Sequence, residues 1–365
     1  MVSNARLRLR PGKVLRILDK RADLVEVLVE VEGREEKAII LESFTGEVAV
    51  GDPVLLNTTA VAKGLGSGGY HFVVANLRRV VLDPPEPGHI MKLRYTPAQI
   101  KVLAVEEPDS PYHTVMRQAV SLEGTPVVAL ELHSQLAPVA AAVWRAGKGR
   151  LRLVYVMTDG GALPLSLSRT VAELRGRRLL AATVTVGHAF GGDLEAVTLH
   201  SGLLAAKHVT RADIIVAGIG PGVVGTGTPL GTTAVGQGEI ANAAWALGGR
   251  PIVPLRLSFA DPRPRHRGVS HHTLTVLQRV SLAPCWVPLP WLPPPKEALV
   301  WQQLSETEIP ARHRVVALDA TPALAALEAL EIQVSTMGRG LEEDREFFLA
   351  AGAAGLWAVH LLSLS

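Results

Sequence analysis

The first 85 residues alternate short apolar runs with polar turns. The apolar runs are rich in Val, Ile and Leu, and they are KVLRIL (13–18), LVEVLVEV (24–31), KAIILES (37–43) and DPVLLNTTA (52–60). Turn signals such as EGRE and VGDP separate them, and this spacing predicts β-strands. A small barrel or a sandwich is the simplest way to close such strands around a core. The glycine-rich stretch at 64–69 is expected to turn the chain.

From about residue 124 onward, apolar runs alternate with helical segments. Most of the apolar runs are continuous, and they are TPVVALEL (125–132), RLRLVYVMT (150–158), LLAATVTVG (179–187), ADIIVAGI (212–219), RPIVPLRLSF (250–259), APCWVPLP (283–290) and HRVVALDA (313–320). The helical segments include SQLAPVAAAVWRAG, SRTVAELRGRR, DLEAVTLHSGLLAAKH and GEIANAAWALGG. This alternation predicts a mostly parallel sheet with helices on both faces. The expected fold class is therefore α/β, preceded by a small N-terminal β-barrel or sandwich domain.

A proline-rich segment, DPPEPG at 83–88, marks the boundary between these two patterns. Two short helices are expected after it, because Thr96-Pro97 and Ser110-Pro111 each offer an N-cap followed by proline at the first helical position. The predicted organisation has three parts: a small β domain over 1–87, a connecting helical segment over 88–123, and an α/β domain over 124–365.

Composition places the chain among ordinary globular proteins. Of its 365 residues, 48% are apolar and 19% are charged, so no disordered tract is indicated. Lys and Arg together number 37 against 34 for Asp and Glu, a surplus too small to indicate nucleic-acid binding. The length favours two domains.

The single cysteine, Cys285, excludes an intrachain disulfide and suits a reducing cytoplasm. Its apolar neighbours predict a buried thiol rather than a nucleophile. The N-terminal segment MVSNARLRLRPG lacks the apolar core of a signal peptide, so a cytoplasmic location is expected. The uncharged 19-residue tail FFLAAGAAGLWAVHLLSLS predicts a buried C-terminal helix, and no membrane association is expected.

The unusual polar residues follow the predicted strands, on the side where open α/β sheets bind ligands. Five successive strand ends carry such clusters, and these are His133-Ser134, TDGG at 158–161, HAFGGD at 188–193, GPGVVGTGTPLG at 220–231 and DPRPRHRG at 261–268. The opposite connections, such as GKGR and LGGR, are short and plain. This asymmetry predicts a ligand site at the carboxyl edge of the sheet.

The loop GPGVVGTGT has the G-x-G-x-x-G spacing of a dinucleotide fingerprint. That fingerprint needs a helix at its second or third glycine, yet Pro229 falls within the first turns and the next helical pattern starts at about 238. A nicotinamide or flavin dinucleotide is therefore not expected, and no Lys follows as in a P-loop. Two alternatives stay open: an anion cradle, or a plain connection with several positive φ angles. The cradle would be built from Gly220, Gly222, Gly225, Thr226, Gly227 and Thr228.

The basic loop after the fifth strand favours the anion alternative. Arg263, Arg265 and Arg267 alternate with Pro and His, so a stiff backbone would present their guanidinium groups to a phosphate or carboxylate. The alternative is a solvated turn whose arginines pair with surface acids.

Two adjacent histidines, His271 and His272, follow Ser270, which is the expected N-cap of their helix. The positive helix end disfavours imidazolium, so both rings should be neutral at pH 7 and able to act as metal ligands or general bases. Adjacent helical positions lie about 100° apart. One histidine is therefore expected in the site, and the other packed or facing solvent.

Three further candidates lie at other strand ends. Asp159 directly follows a strand, His188 follows the next, and Asp193 is the expected N-cap of the helix beyond it, a role that alone could explain this residue. Asp159, His188 and one of the adjacent histidines could form a metal or acid–base site. The spacing identifies no metal, so the cofactor is unknown and a divalent ion stays open.

Several longer phrases give the chain a family resemblance. The sequences GSGGYHFVVANL, TDGGALPLSLS, GHAFGGDLEAV, GPGVVGTGT and SFADPRPRHRGVSHHT resemble an uncharacterised bacterial family, the domain of unknown function numbered 3866. The resemblance covers most of the chain and implies a bacterial intracellular protein. It brings no activity, cofactor or catalytic residue with it.

Three functions are compatible with these patterns. The first is a hydrolase or group transferase that holds an anionic small molecule with the loop and arginines, while a histidine with Asp159 or Asp193 moves protons or holds a metal. The second is a small-molecule-binding or regulatory protein that uses the same pocket without turnover. The third gives the N-terminal β domain a role in binding nucleic acid or a protein, which requires exposed aromatics on a basic face. A homo-oligomer stays open.

Overall fold

The structure, a computed structural model, describes residues 6–364 and divides into two compact units. The first consists of the residues up to Pro87 together with Leu93–Lys101. The second consists of Gly88–Lys92 together with the residues from Val102 onward. The three-part division proposed from the sequence stays a prediction.

The first unit contains a closed five-stranded barrel. Its strands are β1 (Leu9–Arg21), β2 (Leu24–Val31), β3 (Arg34–Leu41), β4 (Pro53–Asn57) and β5 (Tyr70–Asn76). The order is β1-β2-β3-β5-β4 with β4 closing onto β1, and every pair is antiparallel except β3 with β5. Alternate residues point inward and bury an aliphatic core that includes Val14, Val27, Ile40 and Leu56. Of the two architectures left open by the sequence, the barrel is the one observed.

One barrel strand, β5, was not expected from the apolar pattern. Two of its buried positions are polar: a His71 ring nitrogen bonds the Glu36 carboxylate, and the Asn76 side chain donates to Asp52 at 2.9 Å. Their partners come from distant parts of the chain, so the local pattern does not reveal that these residues are buried. Two short helices, α1 (Glu42–Thr45) and α2 (Thr59–Ala62), connect the strands, and the glycine-rich stretch turns the chain into β5 as expected.

The aromatic residues of the barrel do not form an exposed face. Phe44, Tyr70 and Phe72 are each partly buried, and the Tyr70 hydroxyl donates to Glu26 at 2.8 Å. Binding of single-stranded nucleic acid uses exposed aromatic platforms on which bases stack. The role in nucleic-acid binding considered for this region therefore gains no support from its aromatic side chains.

Two short strands and one helix follow the barrel, and they are β6 (Ile90–Lys92), β7 (Ile100–Val102) and α3 (His113–Gln118). The helix expected at Thr96 is wrong, because the Thr96 carbonyl accepts the amide of Gln99 in a turn and a strand follows. A Thr-Pro pair serves a turn as well as a helix start. The helix expected near Ser110 is present, and it begins three residues later than the serine.

The second unit is built on an eight-stranded sheet in which every neighbouring pair is parallel. Its strands are β8 (Pro126–Ala129), β9 (Leu153–Thr158), β10 (Ala182–Thr185), β11 (Leu194–Glu195), β12 (Ile214–Ile219), β13 (Arg250–Ile252), β16 (Trp286–Pro290) and β17 (Arg314–Leu318). Two antiparallel pairs lie outside it: β14 (Leu257–Ser258) with β15 (Gly268–Val269), and β18 (Ser335–Thr336) with β19 (Arg339–Gly340). The order is β11-β10-β9-β12-β8-β13-β16-β17, which confirms the α/β class.

Besides α3, this unit contains the helices α4 (Leu136–Ala146), α5 (Arg169–Gly176), α6 (Leu199–His208), α7 (Gly236–Ala246), α8 (His271–Thr275), α9 (Pro294–Glu306), α10 (Ile309–Arg312), α11 (Thr321–Ala329) and α12 (Arg345–Leu362). Helices α4, α5, α11 and α12 cover one face of the sheet, and α6 and α7 cover the other. Successive strand residues alternate between these layers: Tyr155 packs on one side, and Val154 and Val156 on the other.

Three local expectations for this unit are corrected or confirmed. The segment RPIVPLRLSF is not one strand, because Pro254 follows β13 and the chain leaves the sheet before β14. Asp193 is not an N-cap: α6 begins at Leu199, and Thr198 caps it by accepting the amide of Ser201 at 3.1 Å. The C-terminal helix is buried as expected. Among residues 6–364, no helix has both the length and the apolar character needed to cross a membrane.

Candidate functional site

The candidate site lies at the carboxyl edge of the sheet, where the neighbouring strands β8 and β12 send their helices to opposite faces. Helix α4 follows β8 on one face, whereas α7 follows β12 on the other. The chain diverges beyond these two strand ends, and such a divergence leaves a crevice in which α/β proteins bind ligands. His133 and Gly220 lie in the two diverging connections.

The glycine loop, residues 220–231, runs along this edge between two other strand ends. Near its start, the Pro221 carbonyl accepts the amide of Ala162, from the segment that follows β9, at 2.8 Å. Further along, Gly225 lies against His272, and a Cβ at this glycine would stand 3.3 Å from the ring Nε2. The glycine loop therefore contacts both the segment after β9 and His272, at the same edge of the sheet.

The threonine hydroxyls of the glycine loop are used within the loop. Thr226 Oγ1 donates to the Gly231 carbonyl at 2.9 Å, while Thr228 Oγ1 accepts the Gly231 amide at 3.1 Å and lies 2.9 Å from Thr226 Oγ1. The positive φ angles at Gly222 and Gly227, 97° and 80°, are those that glycine adopts without strain. Much of the glycine and threonine content thus serves the turn itself, and the two hydroxyls are not aimed at a ligand.

Most arginines near this edge are matched by carboxylates. Arg263 places its fork on Asp261, with Nε 2.9 Å from Oδ1 and Nη2 2.8 Å from Oδ2. This bidentate pair lowers the pKa of the Asp261 carboxyl. The other two matched pairs are Arg256 Nη1 with Glu131 at 3.3 Å and Arg339 Nε with Asp344 at 2.9 Å. The expected availability of Arg263 for a ligand is therefore wrong for this conformation.

Arg265 differs from these arginines in its partners. Its Nε lies 3.3 Å from His266 Nε2, and its Nη1 lies 3.8 Å from the point where a Cβ on Gly227 of the glycine loop would stand. Within residues 6–364, Arg265 forms no ion pair with a carboxylate. Arg267 is exposed, and its carbonyl oxygen accepts a hydrogen bond from Gln303 at 3.0 Å. Of the three expected arginines, Arg265 is the one held beside histidines with its charge unmatched.

Three histidine rings meet at the start of α8. Ser270 caps this helix by accepting the His272 amide at 3.2 Å, as expected, and it also bonds Nδ1 of His266 at 2.9 Å. The ring centroids lie 3.9 Å apart for His271 and His272, and 5.2 and 5.4 Å from His266 for these two rings respectively. One ring nitrogen from each residue lies within 4.8 Å of the others. We refer to His266, His271 and His272 as the histidine trio.

The expectation that only one of the adjacent histidines enters the site is wrong. Backbone positions about 100° apart do diverge on a long helix. Here both residues lie in the first turn, and their flexible side chains lean towards the loop residue His266. His266 itself was not singled out in the sequence, although it lies in the loop named for its arginines. The R-H-R pattern next to S-H-H was the available signal.

Two nitrogens of the histidine trio have no hydrogen-bond partner among residues 6–364. They are Nε2 of His271 and Nδ1 of His272, and both are shielded from solvent. His272 is only 4% exposed. Buried polar atoms in folded proteins are nearly always paired, so two orphans in one cluster need an explanation.

Burial keeps the trio neutral at pH 7. Together with the charges of Arg256 and Arg263, burial lowers the pKa of His272 to about 4 and that of His266 to about 3, and burial is the largest cause for both. The pKa of His271 is lowered by the same causes, burial first and then Arg265. Neutral rings were expected from the helix end, but the main cause is burial.

The three other expected site residues have structural partners. Asp159 Oδ2 accepts the His188 amide at 2.9 Å, which holds the turn after β10. Asp193 accepts the Thr183 amide at 2.8 Å and pairs with Arg175 Nη2 at 2.8 Å. Neither aspartate joins His188 in a ligand cluster, because the one cluster of histidine, cysteine or acidic ligand atoms found among residues 6–364 is the trio. The expected combination of Asp159, His188 and one adjacent histidine is not formed.

A cavity of about 370 Å³ opens beside His133, in the crevice between β8 and β12. His133 Nε2 lies 2.7 Å from Ser168 Oγ, and its Nδ1 lies 3.2 Å from the Ile219 carbonyl. Burial lowers the pKa of this histidine to about 4. The cavity lining also includes Arg169 and Gly222. His133 stood out in the sequence as a strand-end residue, but no role followed from its position.

A second cavity, of about 280 Å³, lies at the opposite edge, where β13, β16 and β17 begin. Its lining is largely apolar and includes Trp245 and Trp286. Cys285 also lines it, and burial raises the pKa of this thiol to about 11. The cysteine is thus buried, as expected from the sequence, and its raised pKa disfavours the reactive thiolate.

Comparison with known proteins adds a family but no activity. A family model described as a protein of unknown function, DUF3866, matches residues 37–355. No curated protein and no solved structure matches the chain. The matched range contains the glycine loop, His133 and the whole histidine trio, so the site belongs to the shared part of the chain.

Proposed function

We propose that this protein, which belongs to the DUF3866 family of proteins of unknown function, is a hydrolase or group transferase that acts on an anionic small molecule. Its reactive centre is the histidine trio, and its anion-binding group is Arg265. The observation that carries the proposal is that a guanidinium without a carboxylate partner among residues 6–364 contacts His266, in the same cluster as two shielded imidazole nitrogens without a hydrogen-bond partner, on His271 and His272.

The balance of charge around the trio favours an anionic substrate. Three arginines are matched by three carboxylates, in the pairs Arg256 with Glu131, Arg263 with Asp261 and Arg339 with Asp344. Arg265 has no carboxylate partner among residues 6–364 and lies next to the glycine loop. Its side chain is exposed, so its guanidinium is open to a phosphate or carboxylate that binds through charge-assisted hydrogen bonds.

The trio supplies groups that can act on such a substrate. Its rings are neutral at pH 7, so their lone pairs are available without loss of a proton. His271 is the most accessible of the three, being partly exposed, while its Nε2 has no partner. A neutral imidazole beside a bound anion can accept a proton from water or hold a ligand.

The remainder of the substrate has a place in the cavity beside His133. Gly222 lines this cavity, and Gly225 lies against His272. Three residues of extended chain span at most about 10 Å. The cavity and the trio are therefore within the length of one small molecule, and the cavity volume of about 370 Å³ suits a metabolite rather than a polymer.

The test is a binding and turnover screen with inorganic phosphate, sugar phosphates, nucleotides and small carboxylates on the full chain. We expect at least one phosphate or carboxylate compound to stabilise the protein against heat and to be converted. Arg265→Ala should weaken its binding by about ten- to a hundredfold, the value of a charge-assisted hydrogen bond. Arg267→Ala, an exposed arginine of the same loop, is the matched control. Equal effects of the two variants, or no anion bound at all, would contradict the proposal.

Binding without turnover is the second candidate. It is favoured by the internal use of Thr226, Thr228 and Arg263, which leaves few groups to act on a bound molecule. The discriminating variant is His271→Gln. If the wild-type protein binds a compound, never converts it, and the variant binds it equally well, the protein is a binding module rather than an enzyme.

A further inference from the structure

We propose that His266, His271 and His272 together hold a divalent transition-metal ion of the zinc class, with an open fourth position. This inference deepens the proposed function and rests on it only for the identity of the fourth ligand. Two observations support the metal site: the three rings lie close together, and two of their nitrogens have no hydrogen-bond partner among residues 6–364.

The three rings are close enough to converge on one ion. One nitrogen from each lies within 4.8 Å of the others. Zn²⁺ binds imidazole nitrogen at about 2.0–2.1 Å, so three ligands of a tetrahedron stand about 3.3 Å apart. Rotation of the side chains, two of which lie at a helix start and one in a loop, closes this gap. Imidazole ligands suit zinc, copper, iron and nickel rather than magnesium or calcium.

The unpartnered nitrogens are what an ion would satisfy. His271 Nε2 and His272 Nδ1 are shielded from water and accept no hydrogen bond within residues 6–364. A buried ring nitrogen without a partner is costly, and these two belong to neighbouring rings whose centroids lie 3.9 Å apart. An ion bound by both rings would satisfy both nitrogens at once, whereas a water molecule would need further polar partners there.

His266 is oriented by a neighbour outside the trio. Its Nδ1 lies 2.9 Å from Ser270 Oγ, which also accepts the His272 amide. Arg265 Nε donates to Nε2 of His266, so the ring proton lies on Nδ1, where the serine oxygen accepts it, and Nε2 is the nitrogen with a lone pair for an ion. Metal-bound histidines are commonly fixed through the other ring nitrogen in this way. Arg265 Nε lies 3.3 Å from that Nε2, and an ion bound at Nε2 takes the place of the arginine.

The charges of the site define the fourth ligand. The nearby carboxylates are already held, Asp261 by Arg263 and Glu131 by Arg256. Three neutral imidazoles leave both charges of the ion uncompensated, and Arg265 adds a third. The open position therefore suits a phosphate or carboxylate group of the substrate, or a water molecule whose proton the ion makes easier to remove. Three protein ligands with one open position is the arrangement of catalytic rather than structural zinc.

The test is a Co²⁺ titration of the full chain after treatment with a chelator, followed by its visible absorption. We expect one equivalent to bind with the absorption of a tetrahedral ion. His271→Gln and His272→Gln should each weaken Co²⁺ binding by more than about 100-fold, because loss of a metal ligand costs more than loss of a residue that only orients a ligand. His200→Gln, an exposed histidine on α6, is the matched control and should bind as the wild type does.

The partly exposed His271 makes the decisive variant, since its replacement should leave the fold intact. Thermal unfolding of the metal-free proteins checks this. No bound Co²⁺ in the wild type, or equal Co²⁺ affinity in all three variants, would overturn the inference.

Inorganic phosphate separates this inference from the proposed function. If phosphate binding depends on Arg265 in protein that takes up no Co²⁺, the metal site is refuted and the anion site stands. If Co²⁺ binds through the trio but neither phosphate nor the wider screen finds an anion, the metal site stands and the proposed function fails. When both hold, phosphate should tighten Co²⁺ binding, and Co²⁺ should tighten phosphate binding by the same factor.

Discussion

His133 and the histidine trio lie at the same edge of the sheet, and burial lowers the pKa of His133 and of His272 alike to about 4. They differ in their partners. Both nitrogens of His133 are engaged, Nε2 by Ser168 and Nδ1 by the Ile219 carbonyl. In the trio, Nε2 of His271 and Nδ1 of His272 have no hydrogen-bond partner among residues 6–364. A lowered pKa reports burial in both places, and the clustering of two unpartnered nitrogens with a third ring sets the trio apart from His133.

The same distinction applies to the arginines and threonines of this edge. Arg263 is fully matched by Asp261, and Thr226 is bonded within its own loop. Arg265, in the same short segment as Arg263, has no carboxylate partner among residues 6–364. Residue type alone made these side chains equal candidates. Their hydrogen bonds separate them, and the proposed function rests on Arg265 and the trio.

The largest effect expected from this comparison is on stability. His133→Ala should reduce the free energy of unfolding by about 3 kcal/mol, because it enlarges the neighbouring cavity and removes the hydrogen bonds of the ring to Ser168 and to the Ile219 carbonyl. His271→Ala should change the free energy of unfolding by less than about 0.5 kcal/mol, because its ring is partly exposed and its Nε2 makes no hydrogen bond within residues 6–364 that the variant would lose. Urea unfolding of the metal-free proteins measures both. A larger loss at His271 than at His133 would reverse the assignment.

The pH dependence of stability sharpens the comparison. His133 has its pKa lowered from 6.5 to about 4, so between these values the unfolded chain takes up a proton that the folded protein does not. The stabilisation is complete above pH 6.5 and is lost as pH falls towards 4, by about 3 kcal/mol for this residue. Unfolding at pH 7.5 and pH 5 without metal should show this loss, and His133→Gln should reduce it. An unchanged slope in the variant would mean that His133 is not the group that titrates.

A smaller effect is expected in the glycine loop. Thr226→Val removes a hydroxyl that bonds Gly231 and Thr228 within an exposed turn, so the loss in stability should stay below about 1 kcal/mol. Phosphate affinity should be unchanged, because this hydroxyl is turned to its own loop. An affinity loss comparable to that of Arg265→Ala, measured by equilibrium dialysis, would restore the anion-cradle interpretation of the threonines.

The sequence predicted the architecture of the α/β unit well, because continuous apolar runs depend on local composition. Each of the seven expected runs contains a strand of the parallel sheet. It missed β5, where the buried His71 and Asn76 depend on partners from other strands. It also placed Asp193 at the start of α6, whereas the short strand β11 intervenes. Strands and helices follow from local pattern, and buried polar pairs do not.

The candidate site was predictable in place but not in detail. The polar strand ends indicated the carboxyl edge, and His271, His272 and Arg265 were among the expected residues. The sequence does not predict the ion pair of Arg263 with Asp261, because it is equally compatible with ion pairs between Arg263 and other acidic residues. The convergence of His266 with the adjacent histidines depends on side-chain rotamers at a helix start. Such contacts are properties of the folded chain.

The most direct test of the central claim, that unpartnered rather than merely buried histidines bind the ion, is diffraction at the zinc absorption edge from crystals of the full chain grown with Zn²⁺. The claim predicts an anomalous peak about 2.0–2.1 Å from one ring nitrogen of each member of the trio, and none at His133. A peak at His133, or zinc bound elsewhere with none at the trio, would contradict it.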